Sequence, residues 1–230
     1  MDRGRAWIVV AIAVGALVVS CSKGGDDAPP PSPARPVDIA AVGKLQDQFP
    51  PGFTVQRLPR SVLTKDKLDQ MNGGMDAATF DPPECAESMM GRIPMMVGAT
   101  METINGVTTE AVAPGLPLPK MINVIATESP TPVSLESFYK EGCENSTMVI
   151  PDKVEGTVET IETPDIDGLK VHGTRSVIKP LTSGPGVSFE QIMYEIDLDD
   201  HHGLKVQGVG YSDVSALQAL LVKAVKAVRG

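Results

Sequence analysis

Methionine is the chemically most unusual component of this sequence. The chain has 11 methionines in 230 residues but only one Trp, three Tyr and five Phe. Thioether sulfur binds Cu(I), lines apolar sites that accept varied ligands, and fills gaps in a core that is poor in aromatic residues. We expect some of the clustered methionines to line an apolar ligand pocket and the rest to lie in the core, with Cu(I) as a further alternative. The cluster is Met89, Met90, Met95, Met96 and Met101, and Met71, Met75 and Met121 add to it.

The other candidate chemistry is weaker. Three histidines, His172, His201 and His202, form no zinc-hydrolase motif, and the sequence has no nucleophilic serine motif or phosphate loop. The run Asp199-Asp200-His201-His202 could offer metal ligands, but adjacent strand residues point to opposite faces, so a solvated hairpin tip is the simpler interpretation. Glu155, Glu159 and Glu162 are typical of a solvated strand face. We therefore predict no metal, no cofactor and no catalytic residues, although a hydrolase with an unidentified carboxylate site stays an alternative.

The first twenty-one residues predict the cellular location of the protein. Arg3 and Arg5 precede an uncharged apolar run at 6–19, and the run ends in Leu-Val-Val-Ser followed by Cys21. Fourteen apolar residues are too few to span a bilayer but suit a signal peptide. The ending resembles the lipobox of bacterial lipoproteins, which implies a signal peptide at 1–20 and diacylation of Cys21.

The next segment, 21–36, predicts a lipidated tether, because five of the residues at 22–36 are proline and none is large and apolar. A single folded domain would then occupy 37–230. Loss of residues 1–20 would change the net charge from −9 to −10. This acidic balance argues against nucleic acid as a partner and against a basic patch as the membrane contact. We expect acyl chains to hold the protein on the extracytoplasmic face of the cell membrane.

The two remaining cysteines predict one disulfide bond. Outside the cytoplasmic membrane the environment is oxidising, so Cys85 and Cys143 most simply pair with each other. A redox or metal pair is the alternative, although neither residue lies in a C-x-x-C motif or near a histidine.

Hydrophobic periodicity predicts helices in the N-terminal half. We expect a short amphipathic helix over 38–48, a helix over 61–72 with Ser61 as its N-cap, and a third from Pro82 to about Gly91. A fourth helix is predicted over 134–143, with Leu135, Phe138 and Tyr139 facing inward. The disulfide bond would then join two helices.

The remaining segments predict strands. Alternation indicates one at 53–58, and Asn105-Gly106 within 95–113 is a strong hairpin signal. Asp213 or Ser212 should cap a last helix over 214–228. The expected fold class is α+β, an antiparallel sheet with packed helices and one disulfide bond. The other predicted strands are 120–127, 157–162, 169–178, 187–198 and 204–211.

Short proline-containing motifs then suggest a family. The helix at 38–48 leads into Phe-Pro-Pro-Gly-Phe at 49–53, Asp-Pro-Pro-Glu precedes Cys85, and Cys143 follows. This pattern resembles mycobacterial envelope lipoproteins of the sensor-domain type, which are similar to the extracellular sensor domain of the serine/threonine kinase PknH. The resemblance implies an extracytoplasmic α+β domain with a concave cleft, and it brings no catalytic residues. We expect a lipid-anchored, non-enzymatic domain that binds an apolar or amphipathic envelope ligand or a partner protein.

Overall fold

One antiparallel sheet organises the protein. The computed structural model describes residues 36–71, 77–90, 96–182 and 186–230, and ten strands lie within these ranges. The strands are β1 Thr54–Arg57, β2 Ser61–Val62, β3 Thr79–Asp81, β4 Thr100–Ala111, β5 Pro119–Glu128, β6 Asn145–Ile150, β7 Val154–Thr160, β8 Val171–Pro180, β9 Phe189–Asp197 and β10 His202–Val209. The described helices are a 3₁₀ helix Ile39–Gln48, α1 Lys65–Met71, α2 Cys85–Met90, a 3₁₀ turn Leu135–Ser137 and α3 Val214–Arg229.

The order of the strands is β1-β4-β5-β10-β9-β8-β7-β6-β3, and β2 pairs with β4 beside β1. Every described pairing is antiparallel. The antiparallel sheet predicted from the sequence is therefore confirmed, and the sheet dominates the structure. Consecutive strands linked by short turns can pair in this way without crossover helices.

The core lies between one face of the sheet, here called the first face, and two helices. Ile104, Val124 and Tyr194 point to these helices and are fully buried. Leu217 and Leu221 of α3 pack against them, as the helical periodicity predicts. Asp213 caps α3 by accepting a hydrogen bond from the N–H of Ala216 at 3.0 Å.

The predicted helix over 38–48 is confirmed as a 3₁₀ helix. The Asp38 side chain accepts a hydrogen bond from the N–H of Ala40 at 3.0 Å, and the N–H of Asp38 donates to the Val228 carbonyl at 2.9 Å. This second bond joins the start of the 3₁₀ helix to the end of α3, so both elements cover the same face of the sheet.

The hairpin predicted at Asn105-Gly106 is wrong. Both residues lie in the middle of β4, where Asn105 pairs with Gln56 of β1 on one side and with Asn123 of β5 on the other. A Cβ atom at Gly106 would lie 2.6 Å from the Phe49 ring. The glycine is required because an aromatic ring packs directly on the backbone, and not because the chain turns.

Two predicted helices are also corrected. Residues 61 and 62 form β2, and α1 begins only at Lys65, where the Thr64 hydroxyl accepts a hydrogen bond from the N–H of Lys67 at 3.3 Å. The segment 134–143 forms a single 3₁₀ turn, Leu135–Ser137. Its apolar side chains Leu135 and Phe138 are buried, but they are buried by packing on the sheet and not by lying along one face of a helix.

The predicted disulfide bond is present between Cys85 and Cys143, with a Cα–Cα distance of 5.6 Å. It joins the first residue of α2 to the turn before β6, and so it does not join two helices. Lys140 and Glu87 form an ion pair beside it. The predicted signal peptide at 1–20 and nearly all of the tether at 21–36 lie outside the described residues, so this domain division stays a prediction.

Candidate functional site

The second face of the sheet, opposite the two helices, is the candidate functional surface. Side chains alternate along each strand, so the neighbours of the buried residues Ile104, Val124 and Val206 point to this side. Among the second-face residues of β4, β5 and β10, only Asn105 and Val209 are buried. One part of the second face is covered by another segment of the chain, and the adjoining part is not.

Residues 129–144, here called the covering segment, lie over β9 and β8. The N–H of Leu135 donates to the Asp197 carboxylate at 2.7 Å, and Glu136 forms an ion pair with Lys170. At the start of the segment, the N–H of Ser129 donates to the His201 carbonyl at 2.7 Å. Its far end is held to α2 by the disulfide bond.

The remaining part of the second face, on β1, β4, β5 and β10, is here called the open face. All of its side chains are partly or fully exposed except Asn105 and Val209, which are 8% and 7% exposed. Apolar and uncharged polar groups alternate on it, and Lys205 is its one charged member. The open face consists of Thr54, Gln56, Met101, Thr103, Asn105, Val107, Met121, Asn123, Ile125, Thr127, Lys205, Gln207 and Val209.

Four carboxamides cross the centre of the open face in a line, here called the amide row. The strand register places Gln56, Asn105, Asn123 and Gln207 directly opposite one another on four neighbouring strands. At a strand spacing of about 4.8 Å, the row is about 14 Å long. The Asn105 Nδ2 donates to the Asn123 Oδ1 at 2.5 Å. Asparagine is disfavoured within strands, so local propensity does not account for this row.

A buried carboxylate marks the boundary between the open face and the covering segment. Glu195 of β9 is 5% exposed and accepts a hydrogen bond from the Tyr139 hydroxyl at 3.1 Å. The Tyr139 ring stacks on His172, with centroids 3.8 Å apart and planes within 1°. The Lys205 Nζ lies 3.8 Å from the Glu195 Oε1, so the one cation of the open face is offset by this anion.

The sheet keeps the two buried carboxylates apart. Glu102 is 3% exposed and points to the first face, where the Arg57 Nη2 lies 2.8 Å from its Oε2. Glu195 points to the second face. A glycoside hydrolase requires two carboxyl groups that flank one bond, and these two cannot converge. These two carboxylates therefore do not form an active site for the hydrolase that the sequence leaves as an alternative.

The run Asp199-Asp200-His201-His202 forms the tip of the β9–β10 hairpin, as the sequence predicts. It lines a shallow cavity of about 410 Å³ with Glu128 and Ser129. Burial opposes ionisation of Asp199, but hydrogen bonds from the His201 N–H and from the backbone and side chain of His202 outweigh it and lower the pKa of Asp199. Among the described residues, no three His, Cys, Asp or Glu side chains are placed to hold a metal ion.

The predicted methionine cluster is only partly described. Met101 lies on the open face and Met96 is partly buried before β4. Met121, a further member of the predicted set, shares the open face with Met101. The register separates these two by six positions, about 20 Å, so their sulfur atoms cannot share one copper ion. The side chains of Met71, Met89 and Met90, and all of Met75 and Met95, lie outside the described residues, and their role stays a prediction.

The amide row is the feature that sequence reasoning missed. The pair Asn105-Gly106 predicts a turn, and Asn123 and Gln207 are single amides within largely apolar predicted strands. A single amide within a largely apolar strand is the one local indication that such a residue has a function there. Sequence spacing alone does not reveal which strands are neighbours, so it could not place the four amides in a line.

The chain matches the model of a protein family described as a domain of unknown function (DUF5642) over residues 38–229. No curated protein matches it. It is similar to the X-ray structure of an uncharacterised protein, the Rv0999 ortholog from Mycobacterium smegmatis, with a TM-score of 0.63, 22% identity and coverage of 84% of this chain and 98% of that chain. That likeness shows a common fold.

A weaker likeness relates it to the extracellular domain of PknH from Mycobacterium tuberculosis. The TM-score is 0.41 at 11% identity, with 83% of this chain and 92% of that chain covered. Within the described residues, no helix is long and apolar enough to cross a membrane.

Proposed function

The chain belongs to the DUF5642 family, and we propose that it is a lipid-anchored, non-enzymatic binding domain on the extracytoplasmic side of the cell membrane. The observation that carries the binding role is the divided second face, on which one part of the sheet is covered by the chain itself and the adjoining part is left open. The ligand is an apolar or amphipathic molecule of the envelope, or a partner protein.

Two features support the location. The disulfide bond between Cys85 and Cys143 suits an oxidising compartment, because cytosolic thiols are kept reduced. The sequence up to Cys21 has the charged start, apolar run and lipobox-like ending of a lipoprotein signal. Two acyl chains on Cys21 would hold the domain stably at the membrane surface.

The composition of the open face supports binding. Met101, Met121, Val107 and Ile125 are partly exposed there, although a single solvated sheet face normally carries polar and charged groups. Methionine adapts its shape to different ligands, and charged side chains are depleted in the centres of protein interfaces. The face therefore offers apolar contacts together with fixed hydrogen-bonding groups.

The test is native mass spectrometry of the mature domain purified from envelope, before and after substitution of the open face. We expect a retained molecule or partner on the wild type and its loss in Ile125→Glu, because a carboxylate placed there would have to be desolvated on binding. A matched control is Leu181→Glu, which changes an exposed apolar side chain, 49% exposed, in the turn after β8.

Retention of the molecule by both variants would move the binding site away from the open face. A wild type that carries nothing, and shows no cross-linked partner in the envelope, would contradict the proposed function.

A further inference from the structure

We infer that the open face binds an uncharged amphiphile whose hydroxyl-bearing head lies on the amide row and whose apolar chain lies beside it. This inference rests on the proposed function and specifies the chemical class of the ligand. It follows from three properties of the described open face: its hydrogen-bonding groups, its charge and its dimensions.

The hydrogen-bonding groups select hydroxyls. Each carboxamide of the amide row offers both an acceptor oxygen and an NH₂ donor. A hydroxyl group also donates and accepts, so a polyhydroxylated head can use both halves of Gln207 together with the NH₂ group of Asn123, whose oxygen already accepts from Asn105. A carboxylate or phosphate head only accepts, and an ammonium head only donates, so either would leave one half of the Gln207 amide unsatisfied on binding.

The charge selects a neutral ligand. Lys205 is the one charged residue of the open face, and the Glu195 carboxylate 3.8 Å away offsets it. An anionic ligand would also approach a chain with a net charge of −9. The open face would not neutralise the charge of an anionic or a cationic ligand, and burying an uncompensated charge is costly.

The apolar residues provide a place for the chain. Ile125 lies on one side of the amide row, two positions from Asn123, and Val107 and Met121 lie opposite each other on the other side. Met193 of β9 continues the row directly beyond Gln207. A head placed on the amides would therefore have apolar contacts within reach on three sides.

The dimensions argue against a second copy of this chain as the occupant. Four strands at about 4.8 Å and six residues at about 3.4 Å give a face of roughly 400 Å². Two copies would bury roughly 800 Å² in total, which is the size of a crystal-packing contact and below that of a stable dimer. Both copies would also carry the same negative net charge.

The experiment is NMR titration of the folded domain, residues 37–230 with the disulfide bond formed, using three probes below their micelle concentrations. Dodecyl maltoside has an uncharged sugar head and an apolar chain, sodium dodecanoate has the chain with an anionic head, and maltose is the head alone. We expect dodecyl maltoside to shift signals of β4, β5 and β10, with at least tenfold higher affinity than either other probe.

The matched variants replace amides by side chains of similar size without hydrogen-bonding groups. Asn123→Leu with Gln207→Met should weaken dodecyl maltoside at least tenfold and leave dodecanoate unchanged. Gln46→Met, on the exposed side of the 3₁₀ helix, should leave both probes unchanged.

Three results would overturn the inference. Equal binding of dodecanoate on the open face, insensitive to the amide variants, would keep the proposed binding face and reject the hydroxyl-bearing head. Signal changes that depend on protein concentration alone would assign the face to a second copy. No shift on the open face with any probe would reject an amphiphile, while a protein partner retained from envelope would still support the proposed function.

Discussion

At the residue scale, Gly106 is the position at which packing and local propensity disagree. A Cβ atom there would lie 2.6 and 2.8 Å from two ring carbons of Phe49 and 3.2 Å from Phe53. We expect Gly106→Ala to lower the free energy of unfolding by about 1–3 kcal/mol, because the rings must move in a packed core. Urea denaturation measures the change.

Gly156→Ala is the control for Gly106→Ala. It also lies in a strand, but its new Cβ would meet nothing closer than the Val177 carbonyl oxygen at 3.6 Å, an ordinary contact. It should change stability by no more than about 0.5 kcal/mol. Equal losses in the two variants would show that strand position, and not the phenylalanine rings, makes glycine necessary at 106.

Asp199 gives a prediction for the dependence of stability on pH. Its pKa is lowered in the folded state, so the ionised carboxylate favours folding. This contribution is complete above the unfolded value of about 3.9 and is lost as the pH falls through the lower folded value. Since the side chain is 46% exposed, solvent screening keeps the effect under about 1 kcal/mol.

We therefore expect Asp199→Asn to be less stable than the wild type at pH 7, and the difference to be smaller at pH 3, below the unfolded value of about 3.9. Asp200→Asn is the control, because the Asp200 carboxylate makes none of the hydrogen bonds that hold the hairpin tip. Denaturation curves at both pH values would decide, and a difference that grows on acidification would contradict the assignment.

At the element scale, the disulfide bond holds the covering segment to α2. Cys85 and Cys143 are separated by 58 residues, and their replacement by serine should lower the free energy of unfolding by about 2–4 kcal/mol. The loosened segment should exchange its amide hydrogens faster, first at Leu135, whose N–H bonds to Asp197. Hydrogen exchange with mass spectrometry resolves this region.

The paired interior of β5 and β10 is the internal reference in the same experiment, because its backbone bonds do not involve the covering segment. Its protection should decrease only in proportion to global stability. Unchanged exchange at Leu135 in the variant would mean that contacts with β9 hold the segment without the bond. Two free thiols in protein isolated from envelope would contradict the disulfide itself.

At the scale of the whole molecule, the anchor is the property to test. Cys21→Ser should release the protein from membranes or leave it unprocessed with its apolar run, because the acceptor of the acyl chains is gone. Membrane fractionation with labelled fatty acid measures both outcomes. The double variant at Cys85 and Cys143 is the matched control and should stay lipidated. Label on the Cys21→Ser protein would show that residue 21 is not the anchor.

Several elements follow from local sequence alone. The apolar spacing and the Asp213 cap determine α3, and Asp38 with its following apolar residues determines a helix at 39–48. Alternating β-branched residues predict β5, β9 and β10 within a few positions. These elements were predictable because a repeated contact with one core face imposes its period on the sequence.

Other elements were decided only by tertiary structure. Asn105-Gly106 has the residues of a tight turn, but pairing with strands on both sides and the Phe49 ring keep it extended. Leu135 and Phe138 have helical spacing, but they pack on the sheet from a single 3₁₀ turn. In both segments, local propensities of about 1 kcal/mol or less are outweighed by long-range contacts.

Some features of the candidate site likewise follow from the sequence, and others were decided only by the tertiary structure. The sequence by itself determined that methionines such as Met101 and Met121 are numerous, that no charged residue lies between Glu102 and Glu110 or between Lys120 and Glu128, and that the net charge is negative. Only the strand register decided that Gln56, Asn105, Asn123 and Gln207 form one row. Register is a property of pairs of strands distant in sequence, and no single strand specifies its neighbour.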